Sequence, residues 1–159
     1  SHSAIIIIRY LVELGLSRIV NFYLSPLKFA LPMEDWVLFD NTGLKGTTAD
    51  WARENILGKM PKSLYRYPAT KRNIRTHLSS CDRVIYAVGF HPRGIKVKGM
   101  VEVQHNAHNG IIAPGLFGFG IAFPKQITDP LGSREESVGL WKFMKHINNV
   151  LPIWLRYAP

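Results

Sequence analysis

With 159 residues, 47% of them hydrophobic and 19% charged, the chain suits one average domain or parts of two and is too apolar for a disordered tail. A formal net charge of +9 and a pI near 9.9 favour anionic partners: nucleotide phosphates, nucleic acid or a membrane surface. The single cysteine, Cys81, excludes an internal disulfide and Cys-x-x-Cys redox or zinc chemistry, and it points to the reducing cytoplasm.

The opening AIIIIRYLVELGLSRIV has neither the basic leader nor the cleavage site of a signal peptide, and Arg9 and Glu13 interrupt it as a membrane span. At helical period Ile5, Ile8, Leu11, Val12 and Leu16 share a face, Arg9 and Glu13 stand four apart elsewhere, and Gly15 is placed to stop the helix. SRIVNFYLS then reads as a short strand ending at Pro26. Helix, turn and strand make half of a βαβ unit, so its first strand is expected before residue 1, and the chain reads as a fragment.

Residues 26–46 are irregular, with VLFD as a short strand. Thr47 caps a helix TADWARENILGKM, with Asp50 returning a capping-box contact and Gly58 and Pro61 ending it. Residues 61–80 read as a basic connection carrying Lys62, Arg66, Lys71, Arg72 and Arg75 among Tyr65 and Tyr67. DRVIYAVGF is expected as a buried strand and GIKVKGMVEVQHN as a half-exposed hairpin about Gly99. GIIAPGLFGFGIAFP reads as a strand and glycine-rich turn, and a last amphipathic helix spans about Glu135 to Tyr157, with Pro152 kinking or ending it. There is no internal repeat.

Two apolar runs that end on glycine carry the functional reading. Glycine after a parallel strand lets a ligand approach backbone, and ligands of open α/β sheets bind beyond the carboxyl ends of strands. CDRVIYAVGF resembles the strand ending in Ala-Thr-Gly that joins the two nucleotide domains of two-dinucleotide flavoproteins, with Val88 at the threonine position. GIIAPGLFGFG resembles the later strand whose glycine-rich segment approaches the flavin, and SHSA resembles the second half of a Gly-x-Gly/Ser-x-x-Gly/Ala loop. In this order, over essentially the whole chain, the motifs are similar to those of the FAD-dependent pyridine-nucleotide oxidoreductases and flavin monooxygenases.

The resemblance implies an α/β, Rossmann-like three-layer sandwich with a parallel sheet, a β-hairpin or meander and a C-terminal helix, its first Rossmann strand missing. It implies residues 1–88 as the NAD(P)-binding part and 89–159 as the C-terminal segment of an FAD-binding domain. Ser1, Ser3 and Ala4 would face the dinucleotide pyrophosphate. Ser25 and Lys28 stand in place of an acidic ribose ligand, which favours NADP over NAD. Gly89 and Phe90 would lie where the cofactors meet, and Gly118, Phe119, Gly120 and Ile121 would back the flavin. Ile121 replaces the family's flavin-contacting aspartate, and the FAD domain's own glycine motif is absent. The implied activity of the parent protein is hydride transfer from NADPH to FAD, plausibly in a monooxygenase acting on a small molecule. No catalytic acid, base or nucleophile is identified.

Other patterns are weaker. His105 and His108 lack a third metal ligand in sequence, and GLKGTT lacks the Gly-x4-Gly-Lys-Ser/Thr order of a phosphate loop. The alternative to an oxidoreductase is a non-catalytic module binding nucleic acid or an acidic partner through Lys62 to Arg75 with Lys96 and Lys98, although no RNP, KH or helix-turn-helix signature accompanies them. A third reading is an inactive scaffold docking through the apolar C-terminal helix, and self-association is compatible with any of these.

Overall fold

Isoleucines 5 and 8 fall on one face of a 3.6-residue repeat, and their burial sets the first helix. The structure, a computed structural model, describes residues 2–89 and 94–157. It divides into two compact units, Ser1–Gly89 and Phe90–Pro159.

In the first unit, α1 (His2–Glu13) begins three residues before Ile5. Ile5 and Ile8 are almost fully buried, Leu11 and Val12 pack partly against the same core, and Leu16 lies beyond the helix and exposed. Arg9 Nε donates to Glu13 Oε1 at 2.7 Å on another face. Gly15, at φ +74°, ends the helix, with Leu16 N–H donating back to the Leu11 carbonyl. A short link leads to β1 (Ile19–Tyr23). There follow a two-residue antiparallel ribbon, β2 (Leu31–Pro32) with β3 (Val37–Leu38), and then α2 (Gly46–Ala52), which continues as a π-helical turn Arg53–Gly58. The cap differs from expectation: Lys45 holds the N-cap position without a side-chain capping bond. Asp50 accepts from Arg53 at 3.0 Å rather than closing a capping box.

The basic connection is itself ordered structure. β4 (Leu64–Pro68) lies parallel to β1, with Ile19 opposite Leu64, Asn21 opposite Arg66 and Tyr23 opposite Pro68. Thr70 Oγ1 then accepts from Asn73 N–H and caps α3 (Lys71–His77). The core joins Ile5, Ile8, Ile19, Leu44, Ala49, Ala52 and Leu64, so α1 and α2 close on the amino-terminal half of the parallel pair.

Residues 81–89 do not form the expected buried strand. They join no ladder, and Val84, Ile85, Tyr86 and Val88 are 51–82% exposed. An apolar run becomes a buried strand only where a neighbouring strand satisfies its backbone and layers cover both faces, and among the described residues the parallel sheet of this unit stops at β1 and β4.

In the second unit, the hairpin expected about Gly99 is likewise absent among the described residues. Gly99, at φ +86°, makes only a turn, in which Met100 N–H donates to the Val97 carbonyl, and Val101 is fully exposed. The ordered part starts with the hairpin β5 (Ile111–Ala113) and β6 (Leu116–Phe117), closed by Pro114-Gly115. A single 3-10 turn, Gly120–Ala122, leads to a second hairpin, β7 (Lys125–Thr128) with β8 (Arg134–Ser137). Its turn is built by Asp129, whose Oδ1 accepts from Leu131 and Ser133 N–H at 2.9 and 2.8 Å, with Gly132 at φ +82°. That hairpin takes in residues 135–137, which were expected to open the last helix. α4 is Leu140–Trp154, and Pro152 sits in its final turn. The described residues thus form a mixed α/β structure with four α-helices and one small parallel sheet among three antiparallel ribbons. No described helix is long and apolar enough to cross a membrane.

Replacing Leu64, only 2% exposed, by alanine is expected to lower the unfolding free energy by about 2–5 kcal/mol. Ile85→Asp, at a 59% exposed position, is expected to change it by less than about 0.5 kcal/mol. Urea melts of both variants check the pair. A multi-kcal loss in Ile85→Asp would return residues 81–89 to the core.

Candidate functional site

α1 leads into β1 through five residues, and because β1 and β4 are parallel their carboxyl ends share one edge. That edge is where open α/β sheets take ligands. No acidic residue stands in the first turn of α1. Ser3 is exposed there and Ala4 half-buried. Ser25 is exposed two residues past β1. Lys28 is exposed, and its Nζ lies 4.7 Å from the centre of the Phe39 ring, so the ammonium already has a cation–π partner. Ser1 and Phe90 lie outside the described residues. Gly89, at φ +85° with open space around its Cα, ends the exposed run 81–89 rather than a paired strand.

One group at this edge was hidden in the basic connection. Arg66, on β4, donates through Nε to Asn21 Oδ1 at 3.0 Å, and its guanidinium carbon lies 4.8 Å from the centre of the Tyr23 ring. Both partners belong to β1 and share Arg66's face of the sheet. The guanidinium is therefore laid along the sheet toward the carboxyl end. Burial lowers its pKa from the usual arginine value, while the Tyr23 oxygen acts the other way. The alternation Leu64-Tyr65-Arg66-Tyr67 was the available signal. It puts Arg66 on the face of the buried Leu64, which a solvated basic loop would not do. On the opposite face Tyr67 stacks on His77 at 3.9 Å between ring centres and 6° between planes, which ties β4 to the last turn of α3.

The glycine-rich segment of the second unit has a different cause from the one its sequence suggested. A Cβ on Gly118 would meet the Phe123 ring, 2.5 Å from its Cγ, and one on Gly110 would meet the Gly118 carbonyl and the Trp154 ring. Both glycines are consumed by internal packing. Gly120, at φ +80°, has open space around it, Phe119 is partly exposed, and Ile121 is 62% exposed and brings no polar group. Phe117 stacks on Trp154 at 4.9 Å, Phe119 contacts Phe143, His146 and Trp154, and Trp154 Nε1 donates to the Asn109 carbonyl at 2.6 Å. The aromatic face of α4 is therefore what clamps the hairpin. His105 is also structural, with Nε2 donating to the Pro124 carbonyl at 3.1 Å. Among the described residues no three His, Cys, Asp or Glu side chains converge to hold a metal ion.

With this geometry in place, comparison with known proteins gives one informative match. The chain is 38% identical over 183 aligned positions to a protein of Paecilomyces divaricatus described as monooxygenase AgnR1. The alignment takes in 98% of this chain and 46% of that protein, so the chain spans about half the length of the curated relative. The aligned positions exceed the 159 residues available, so the relative also carries residues within the aligned region that have no counterpart here. This likeness supports a monooxygenase-like oxidoreductase relationship. No family model matches, and no solved structure matches.

His146, 7% exposed beneath Phe119, has its pKa lowered, first by burial and then by the charge of Lys125. The folded protein favours the neutral ring, whereas the unfolded chain takes up a proton from about pH 6.5 downward. Stability is therefore expected to fall as the pH drops below about 6.5 toward the depressed folded value. Thermal melts between pH 7.5 and 5 check this, with His146→Leu expected to flatten that part of the profile. An unchanged slope in the variant would assign the acid sensitivity to other groups.

Proposed function

We propose that the chain is part of a flavin-dependent monooxygenase that draws its electrons from NADPH, with the first unit holding the pyridine nucleotide. The observation that carries this reading is the parallel β1–β4 pair, into which α1 leads. A helix feeding a parallel pair is the minimal Rossmann-like element, and the guanidinium of Arg66 lies over Tyr23, the last residue of β1. The curated relative's description as a monooxygenase agrees with it.

In this reading the first-turn amides of α1 at Ser3 and Ala4 face the nucleotide pyrophosphate, with Ser1 ahead of them. Ser25 offers a hydroxyl beside the ribose, and Lys28, held over Phe39, adds positive charge to the loop after β1. A flavin, when bound, supplies hydride acceptance and reaction with oxygen. The residues present fit it only in part. Gly120 leaves backbone accessible next to Phe119, but Gly118 is filled by Phe123 and Ile121 offers no hydrogen bond, so the segment can back a flavin by packing and main chain alone. Gly89 and Phe90 keep their proposed place where the two cofactors meet. The small-molecule substrate and the cytoplasmic setting belong to the same proposal, with residues 1–88 serving NADP and 89–159 serving FAD.

Ser3→Asp tests the nucleotide half without threatening the fold, because a carboxylate in the first turn of a helix is favourable to the helix. It is expected to weaken NADP+ binding by roughly ten-fold or more through like-charge repulsion, measured by titration calorimetry on the 159-residue chain. Undiminished NADP+ binding by Ser3→Asp would remove α1 from the site.

A further inference from the structure

A phosphate is a counter-charge, and Arg66 is a half-buried cation without one. Among the described residues no ion pair involves Arg66. Its surroundings on the sheet face are neutral: Asn21, which takes the Nε hydrogen, and the Tyr23 ring. Withdrawing a guanidinium partly from water with no carboxylate at hand is unfavourable. The protein nevertheless holds this one in a defined place, its guanidinium carbon over the Tyr23 ring at the end of β1. An amide accepting from Nε and a ring beneath the guanidinium fix its orientation while leaving its terminal nitrogens free of any carboxylate.

The location narrows the ligand. In dinucleotide folds the residue at the carboxyl end of the strand after the first helix reads the adenosine ribose: an acid takes the 2′-hydroxyl of NAD, and an arginine nearby accommodates the 2′-phosphate of NADP. Here β1 is that strand, Tyr23 is its last residue, and the chain beyond it carries no acid until Glu34. We infer that Arg66 reads the adenosine 2′-phosphate, reaching it from β4 rather than from the loop after β1. Asn21 and Tyr23 act as positioning residues that aim the fork. The two terminal nitrogens of a guanidinium match a phosphate in bidentate geometry, which the single ammonium of Lys28, already engaged with Phe39, does not. This inference rests on the nucleotide reading of the first unit and goes beyond it by naming the residue that selects the phosphorylated dinucleotide.

The test is titration calorimetry on the 159-residue chain with adenosine 2′,5′-bisphosphate and 5′-AMP as probes. They differ only by the 2′-phosphate. The unsubstituted chain is expected to prefer the bisphosphate. Arg66→Gln is expected to lose about ten-fold or more in affinity for the bisphosphate while binding 5′-AMP as before, which erases the preference. Arg66→Lys, which keeps the charge and loses the fork, is expected to fall between them and decides the matter if the glutamine variant does not fold. A folded Arg66→Gln or Arg66→Lys chain that keeps the full preference overturns the role of Arg66 and leaves the nucleotide reading standing. Failure of the unsubstituted chain to bind either probe overturns that reading, and the inference with it.

Discussion

Two parallel strands cannot be joined by a tight turn, and much of the first unit follows from that constraint. Between Tyr23 and Leu64 the chain must return to the starting end of the sheet, and it spends that length on the β2–β3 ribbon and on α2. The return path is useful as well as necessary. Leu44, Ala49 and Ala52 come from it and complete, with Ile5 and Ile8, the cover over Ile19 and Leu64. The cover is thick at the amino-terminal half of the pair. At the other half the same sheet face carries Asn21, Arg66 and Tyr23, so one surface changes from core to polar edge within two residues of strand. The chemistry of the edge is thus a consequence of register: a one-residue slip of β4 would exchange Arg66 for Tyr67 and erase it.

The second unit reaches order by different means. Its ribbons are two to four residues long and too short to stand alone, and aromatic stacking supplies what strand length does not. Trp154 is central, stacking on Phe117, meeting Phe119 edge-on, and donating its indole hydrogen to Asn109. Glycines 110 and 118 are the places where backbone and rings come closest. A segment that resembles a cofactor loop in sequence is here first a packing device, and any flavin would have to use what the aromatics leave open around Gly120.

Local signals in the sequence were sound where they carried their own physics. The helical Ile5/Ile8 face, the Arg9–Glu13 pair and the Gly15 stop are set by residues within a turn or two of one another. What failed depended on partners elsewhere in the chain. DRVIYAVGF has the composition of a buried strand, but composition does not supply a neighbouring ladder. Residues 64–68 have the composition of a basic loop, yet β1 supplies a ladder and they become its partner. Residues 135–137, expected at the start of the last helix, instead end a hairpin, because the Asp129-Pro-Leu-Gly turn pairs 134–137 with 125–128. Arg66 was not legible as a site residue, since only strand register reveals which face it occupies.

The central claim is that the carboxyl edge of the β1–β4 pair is the nucleotide site. The most direct measurement is an amide NMR titration of the 159-residue chain with NADP+. The account predicts sequential cross-strand contacts in the register that opposes Asn21 to Arg66, with shifts concentrated at the first turn of α1, at Tyr23–Ser25 and at Arg66–Thr70. Shifts confined to the exposed face of α3 or to the second unit, or strands paired in another register, would contradict it.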